Sequence, residues 1–457
     1  MLRGERVVRN PRARELVVNC DSAGTAGSRC ETGFSCDDMT RSMVCSAFPS
    51  SSDKAVGLLL NRVRYKRMGK KLSLSLRAAI SLSITSLAIA GLASCKLFLL
   101  TAFPDLSSSS SFPTKVWQFV GSSNISVGTV GDIGIAASPG GVLCVVYQDW
   151  GPGKATAMQF VGGSWTTMGS AGFSANGIST PSVAYSSAGV PYVVYQDSSS
   201  LAANAMQFNG TSWVQVGLSG FSSGSASMTS LAIDPTTGVP YAAYSDGGAS
   251  PSGATTVMKY TGNWALVPAA GRGFSGGGAS YTSIAIDNTG RPYVGYSDAN
   301  QGNSATVMMF NGVSWATVGS AGFAGTVAYV SLAINPVTQS PWVAFYDASA
   351  GGKITAMKYN GTNWVTVGSA GFSAGTVSGV CLKFDSNGNA FAAFIDAGIG
   401  GKAIAYQFNG TSWTSLGGAG FSPGAVDELT MAIGPNNVPY CAFRDASSFY
   451  ASVMGFY

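Results

Sequence analysis

The sequence predicts an all-β fold, a seven-bladed β-propeller with four antiparallel strands in each blade, and three observations support this prediction. Each repeat holds four short runs of alternating β-branched and aromatic residues, and repeats of this kind are typical of propellers, which have four to eight blades. Seven tryptophans recur every 48 to 51 residues: Trp117, Trp165, Trp213, Trp264, Trp315, Trp364 and Trp413. Seven aspartates end aromatic-x-Asp triplets in step with them: Asp149, Asp197, Asp246, Asp298, Asp347, Asp396 and Asp445.

One repeat shows the four predicted strands in order, at residues 331–335, 341–347, 354–359 and 363–368. In four repeats Asn-Gly stands between the third and fourth runs, beginning at 209, 311, 360 and 409. This pair favours a two-residue hairpin turn because both residues accept positive φ. The repeated tryptophan follows the turn, and since its ring can remove roughly 150–250 Å² from water, we expect it to pack between blades.

The two ends of the repeat region, residues 117–457, indicate how the ring closes. The chain ends at Tyr457, where a third strand finishes. The fourth strand of this last blade is therefore expected from residues 117–120, at the start of the region. A blade built from both ends would lock the ring.

Composition and charge exclude several function classes. The chain has 457 residues, of which 46% are hydrophobic and 10% charged, and it contains no histidine. Triads built on histidine, histidine-ligated zinc or copper and imidazole general bases are therefore excluded. The net charge of +5 does not reside in the repeats, because residues 117–457 hold 9 basic and 13 acidic side chains. No nucleic-acid partner is predicted, and the domain is expected to be monomeric.

Residues 68–95 are predicted to be a signal peptide. Lys70, Lys71 and Arg77 precede an apolar run of about 17 residues, which is short for a membrane span of about 20. Residues 1–67 are then either an extension added by assigning the start of the reading frame too early or a disordered extension. In the first case translation starts at Met68. Residues 96–116 form a Ser-rich tether between the signal and the propeller.

The end of this signal, Leu-Ala-Ser-Cys at 92–95, resembles the lipobox of bacterial lipoproteins. The resemblance implies that Cys95 is lipidated and anchors the chain to a membrane; an uncleaved signal anchor is the alternative. In either case we expect an extracytoplasmic protein of the bacterial cell envelope, anchored or secreted.

Residues 357–364, Met-Lys-Tyr-Asn-Gly-Thr-Asn-Trp, resemble the third and fourth strands of kelch-like propellers. The resemblance covers residues 117–457 and implies a propeller that binds ligands on its loops. The kelch double glycine survives only at Gly247 and Gly248. The copper oxidase activity of one kelch-like enzyme class is excluded, because the chain has no histidine.

Residues that break the repeat are the candidates for a unique site. One position of the first strand is expected to line the mouth of the central channel, and Asp132 and Glu428 should be neighbours there because blades 1 and 7 meet. Asp427, Arg444 and Trp150 are predicted on the same flank. In successive blades this ring position holds Asp132, Thr180, Met228, Tyr281, Tyr329, Gly379 and Glu428.

Two carboxylates at this mouth can act as acid and base on a glycosidic bond or bind Ca²⁺, or they form a solvated pair without a role. The predicted ligand-binding residues are Asp132, Glu428, Asp427, Arg444, Trp150, Tyr281 and Tyr329. No catalytic residue, metal site or cofactor is assigned, apart from Ca²⁺ as a cation that these carboxylates can hold. The seven repeated aspartates are expected to be structural; the alternative is a set of shallow repeated ligand sites, as in propeller lectins.

The sequence therefore favours a non-catalytic binding module for a protein or a glycan. Two alternatives remain. One is a scaffold lipoprotein for envelope assembly, and the other is a carboxylate-dependent enzyme that acts on polysaccharide.

Overall fold

The computed structural model describes residues 115–269 and 271–457, which form 28 strands in seven four-stranded antiparallel sheets. This arrangement confirms the predicted seven-bladed propeller. Helix in these residues is limited to three 3₁₀ turns, Ala299–Gln301, Ala348–Ala350 and Ala397–Ile399, and no helix there is long and apolar enough to cross a membrane. The predicted extension, the signal peptide with Cys95 and all but the last two residues of the tether lie outside the described residues.

The strands follow the repeat blade by blade. Blade 1 holds β2 (Val130–Ala137), β3 (Leu143–Asp149), β4 (Lys154–Val161) and β5 (Ser164–Thr167); blade 2 holds β6 (Ile178–Tyr185), β7 (Pro191–Asp197), β8 (Ala203–Phe208) and β9 (Trp213–Gln215). Blade 3 holds β10 (Ala226–Ile233), β11 (Pro240–Asp246), β12 (Ala254–Tyr260) and β13 (Trp264–Leu266); blade 4 holds β14 (Ala279–Ile286), β15 (Pro292–Asp298), β16 (Ser304–Phe310) and β17 (Trp315–Thr317). Blade 5 holds β18 (Val327–Ile334), β19 (Pro341–Asp347), β20 (Lys353–Tyr359) and β21 (Trp364–Thr366); blade 6 holds β22 (Val377–Phe384), β23 (Ala390–Asp396), β24 (Lys402–Phe408) and β25 (Trp413–Ser415). Blade 7 holds β26 (Val426–Ile433), β27 (Pro439–Asp445), β28 (Ala451–Phe456) and β1 (Trp117–Phe119).

The first strand of each blade lies innermost. First strands of neighbouring blades contact one another around the whole ring, and β26 of blade 7 contacts β2 of blade 1. In blade 7 the strand order is β26-β27-β28-β1, with Trp117 opposite Phe456 and Phe119 opposite Met454. The prediction that the N-terminal strand closes the last blade is confirmed.

The repeated tryptophans join each blade to the one before it. Each indole N–H donates a hydrogen bond of 2.6–3.0 Å to a backbone carbonyl just after the preceding blade's fourth strand. Six of the rings also stack on a phenylalanine from the loop between the two blades, with centroids 4.0–4.8 Å apart. A ring packed between sheets with its N–H satisfied stabilises the junction through buried apolar area without leaving a polar group unpaired. The stacked pairs are Trp117–Phe421, Trp213–Phe173, Trp264–Phe221, Trp315–Phe274, Trp364–Phe323 and Trp413–Phe372.

The seventh connection, between β1 and β2, has an isoleucine where the others have phenylalanine. The N–H of Ile125 donates to the carbonyl of Ala451 (2.7 Å), just as the N–H of Phe421 donates to the carbonyl of Ala403 (2.8 Å). The hydroxyl of Ser126 then accepts from the N–H of Ala451 (3.1 Å). The N-terminal segment therefore supplies the connecting loop of the last blade as well as its outer strand.

Candidate functional site

The loops after the second and fourth strands of each blade lie on one side of the ring, which we call the loop face. The repeated aspartates stand there, at the ends of the second strands. In blade 5, Asp347 accepts hydrogen bonds from the N–H of Ser349 (3.0 Å) and the hydroxyl of Thr355 (2.8 Å). That hydroxyl accepts in turn from the N–H of Gly371 (3.0 Å), so the carboxylate ties three segments of the blade together. The same relay recurs as Asp149–Thr156–Gly172, Asp246–Thr256–Gly273 and Asp298–Thr306–Gly322.

The other three repeated aspartates also bond within the propeller itself. Asp197 and Asp445 each accept from two backbone N–H groups of the loop that follows them. Asp396 accepts from three backbone N–H groups, among them those of Gly375 and Gly398 (both 2.8 Å). Because all seven carboxylates are used in this way, the structure supports their structural interpretation, and a ligand site is better sought where the repeat is broken.

The ring position at the channel mouth divides the blades into two classes. In blades 2 to 6 the residue there has a positive φ of 46–58°, beside a register shift that the first strands of all seven blades share. Asp132 and Glu428, in blades 1 and 7, are not in the left-handed region, and Glu428 pairs with Arg444 in the β-ladder. The backbone therefore departs from the repeat in the same two blades in which the side chain becomes acidic.

Asp132 lies at the boundary between these two classes. Its carboxylate accepts a hydrogen bond from the backbone N–H of Thr180 (2.6 Å), the ring residue of blade 2. Thr180 is β-branched and has a φ of 46°, a conformation that such residues adopt only when neighbouring contacts hold them there. Asp132 thus fixes the rim of the adjacent blade and has one carboxylate oxygen left for another partner.

Arg444, the second-strand residue opposite Glu428, is held in place from two sides. Its guanidinium donates two hydrogen bonds to Asp427, at 2.6 and 2.9 Å, and a third to the backbone carbonyl of Val130 in blade 1 (3.1 Å). The arginine side chain is 13% exposed, whereas that of Asp427 is 35% exposed. This bidentate pair bridges blades 7 and 1 and presents a fixed charge pattern to solvent.

Two exposed aromatic rings pack against this arginine. Trp150 and Phe449 are 47% and 38% exposed, and their ring centroids are 5.8 Å apart. The Arg444 guanidinium lies 5.4 Å from the centroid of Trp150 and 5.8 Å from that of Phe449, within the range of cation–π attraction. Gly131 makes room for this arrangement, because a Cβ at this residue would lie 2.9 Å from the indole nitrogen of Trp150.

Glu428 lies partly buried beside these groups. Burial raises its pKa to about 7, with a further rise from the negative charge of Asp132 and an opposing effect of Arg444. The carboxyl group therefore changes charge near neutral pH. Two carboxyl groups with different surroundings beside an arginine can bind a polar ligand or transfer a proton to it.

The structure separates the seven predicted ligand-binding residues into two groups. Asp132, Glu428, Asp427, Arg444 and Trp150 meet where blades 7 and 1 join, and with Phe449 they form what we call the junction site. Tyr281 of blade 4 and Tyr329 of blade 5 lie away from the junction site and pack on each other, with ring centroids 5.0 Å apart.

Sequence reasoning missed Phe449. The available signal was the fourth residue of the loop after Asp445, since blades 4 to 6 have a glycine at this place in loops of the same length. Phe449 has a φ of 59°, and Leu201 holds the same place in blade 2 with a φ of 58°.

The described residues contain no group of three acidic or cysteine side chains arranged to hold a metal ion. The Ca²⁺ interpretation of the carboxylates stays a prediction. If the cation binds, Asp132 and Glu428 are the side chains that would face it.

No protein-family model and no curated protein matches this chain. Among solved structures, the Aleuria aurantia lectin in complex with Fucα1-6GlcNAc is 16% identical with a TM-score of 0.43, and the match covers 64% of this chain and 96% of the lectin, which has six blades. An ulvan lyase, a polysaccharide lyase, is 12% identical with a TM-score of 0.49 over 74% of this chain and 95% of the enzyme. A protein of unknown function from Dyadobacter fermentans is 10% identical with a TM-score of 0.41, covering 75% and 97%. The similarity extends to the propeller fold alone.

Proposed function

We propose that this chain is a non-catalytic binding module that holds a glycan at the junction site. The observation that carries this proposal is the exposed pair of Trp150 and Phe449, packed on an arginine that Asp427 holds by two hydrogen bonds. The pair lies where both the residue types and the backbone depart from the repeat.

The chemistry of the junction site suits a sugar. A pyranose ring has a face of C–H groups that packs on an aromatic ring, and its hydroxyls need donors and acceptors at fixed positions. Trp150 supplies the ring, Asp427 the acceptors, and Glu428 a donor or an acceptor according to pH. The surface is open rather than enclosed, which suits the end of an oligosaccharide rather than a small molecule buried on all sides.

We also propose that the module works outside the cytoplasm and is held at a membrane by a lipid on Cys95. The lipobox-like residues 92–95 and the Ser-rich segment that follows support this, since a polar tether lets a domain reach ligands away from its anchor. Replacement of Cys95 by serine should move the protein from the detergent phase to the aqueous phase in a partition experiment. An unchanged distribution would remove the lipid anchor from the proposal.

Glycan binding is tested by screening the purified protein against a glycan array and envelope extracts, with Ca²⁺ and with chelator. We expect saturable glycan binding without turnover, and the Trp150→Ala variant should weaken it at least about tenfold. The matched control is Val313→Ala, which truncates a residue 80% exposed in a hairpin turn of blade 4. Equal glycan affinities of the Trp150→Ala and Val313→Ala variants would contradict binding at the junction site. Capture of one envelope protein without any glycan signal would favour the assembly scaffold.

A second candidate, cleavage of a polysaccharide, is favoured by the pKa of Glu428, which is raised to about 7 as in a general acid. Turnover of a bound glycan that is lost in Glu428→Gln, with the binding affinity retained, would establish it. If the wild type and the Glu428→Gln variant both bind the glycan and neither forms a product, the result supports the non-catalytic module.

A further inference from the structure

A second feature lies on the opposite side of the ring, the hairpin face, formed by the turns between first and second strands and between third and fourth strands. There a cleft of about 720 Å³ separates blades 4 and 5. Tyr293 and Met309 line it from blade 4, and Trp342, Lys358 and Tyr359 line it from blade 5. This volume is within the range of small-molecule sites.

A difference between two equivalent turns accompanies this cleft. In blade 4, Asp287 and Arg291 close the turn between the first two strands, through a backbone hydrogen bond of 3.0 Å and an ion pair of 2.8 Å. In blade 5 the same backbone bond joins Asn335 and Ser340, in a turn one residue longer. Blade 5 therefore replaces a charged pair with short, uncharged polar side chains, and these line the cleft.

The cleft contains a positive charge without an acidic partner. The ammonium group of Lys358 lies 5.5 Å from the centroid of Trp342, and no aspartate or glutamate lines the cleft. Among the described residues Lys358 takes part in no ion pair. The nearby carboxylate of Asp287, which accepts from the hydroxyl of Tyr293 at 3.4 Å, is already paired with Arg291. An anion in this cleft would gain a charge-assisted hydrogen bond that the protein does not supply itself.

The wall of the cleft is held in place across two blades. The side-chain oxygen of Gln339 accepts from the backbone N–H of Asn288 in blade 4 (2.9 Å), and its nitrogen donates to the carbonyl of Pro336 (2.7 Å). The site is therefore formed before a ligand arrives, which lowers the entropic cost of binding. The aromatic rings suit a flat-faced ring, and the side-chain nitrogen of Asn360 can donate to one of its hydroxyls.

We propose that this cleft binds a small ring compound with a single carboxylate, of the class of the hexuronic acids, whose carboxylate meets Lys358. This site is independent of the junction site, which lies on the other face of the propeller. It takes an acidic sugar rather than a neutral one, because its only charged lining residue is a lysine.

The test is calorimetric titration of the purified protein with sodium glucuronate, with glucose as the neutral probe. We expect saturable binding of glucuronate and affinity for glucose at least about tenfold weaker, since a charged hydrogen bond is lost. Lys358→Met should weaken glucuronate binding by the same factor. Methionine fits this position, because Met309 holds the equivalent place in blade 4. Lys358→Gln serves as a second variant, because Gln159, Gln207 and Gln407 hold this position in three other blades.

The matched control is Lys259→Met, at the equivalent position of blade 3. It should leave glucuronate affinity within about twofold, because Lys259 does not line the cleft. Glucuronate that does not saturate, equal affinity for glucose, or folded Lys358 variants that bind like the wild type would each overturn the proposal.

Discussion

Blades 2 to 6 and the junction of blades 7 and 1 are built on the same repeat, but they differ at the channel mouth. In blades 2 to 6 the ring residue is uncharged and has a positive φ. At the junction it is Asp132 or Glu428, and Arg444 and two exposed aromatic rings surround the pair. Repetition here indicates residues that hold the propeller together, whereas departure from repetition indicates residues that are free to bind something else. Four predictions test this division, in order of decreasing effect.

Removal of the closing strand should have the largest effect. A chain that begins at residue 124 lacks β1 and with it the stacked pair of Trp117 and Phe421 and the carbonyl of Val120 that accepts from Trp165. Compared with a chain that begins at residue 115, we expect the melting temperature to fall by about 10 °C or more, measured by calorimetry. Melting within about 2 °C would show that the junction does not depend on the N-terminal strand.

The packed tryptophans should differ in a way that follows their stacking partners. Trp364→Phe loses a hydrogen bond to the carbonyl of Val318 (2.7 Å) and disturbs the stack on Phe323, and we expect a loss of about 2–3 kcal/mol. Trp165 has no phenylalanine to stack on, because Ile125 replaces it, so Trp165→Phe should cost about 1 kcal/mol less. Chemical denaturation gives both values. Equal losses would mean that the stacked ring adds nothing.

Two aspartates of the loop face should show opposite phenotypes. Asp347→Asn weakens a buried relay and should lower the free energy of unfolding by about 1–2 kcal/mol without changing glycan affinity. Asp427→Asn should change stability by about 0.5 kcal/mol at most, because its partner Arg444 keeps its other contacts, and it should weaken glycan binding. The reverse pattern would place the binding site among the repeated aspartates.

The smallest effect should be a pH dependence at the junction. Since the pKa of Glu428 is raised to about 7, the folded state binds a proton that the unfolded state releases above about pH 4.5. The stabilisation that protonated Glu428 gives the folded state is complete at low pH, and it is lost as the pH rises through 7. We therefore expect the wild type to lose about 1–2 kcal/mol relative to Glu428→Gln between pH 5 and pH 8, in denaturation curves at each pH. A pH-independent difference would contradict the position of this carboxyl group.

Most of the architecture was predictable because the repeat carries it. The spacing of the tryptophans and aspartates predicted seven blades, and the positions of Trp117 and Tyr457 predicted the closure, both of which the structure confirms. The sequence did not reveal Ile125 as the equivalent of the repeated loop phenylalanines. Isoleucine fills the same apolar position, but it does not match the phenylalanine pattern of the other loops. The backbone bond to Ala451 reveals the equivalence.

The candidate sites were predictable only in part. Alignment of the repeats placed Asp132 beside Glu428, and the effect of Asp132 on the pKa of Glu428 agrees with that placement. The same alignment could not show which ring residues have a positive φ, or that Phe449 turns its ring toward Trp150. The volume of the cleft beside Lys358 depends on the conformation of the turn between the first two strands of blade 5. Residue types alone do not specify that conformation.

The stoichiometry of glycan binding tests the central claim most directly. Titration calorimetry of the protein with a neutral glycan from the screen should give one site per chain, and that site should be lost in Trp150→Ala. Several equivalent sites per chain that survive this substitution would contradict the claim, because they would show that binding follows the repeat and not the residues that depart from it.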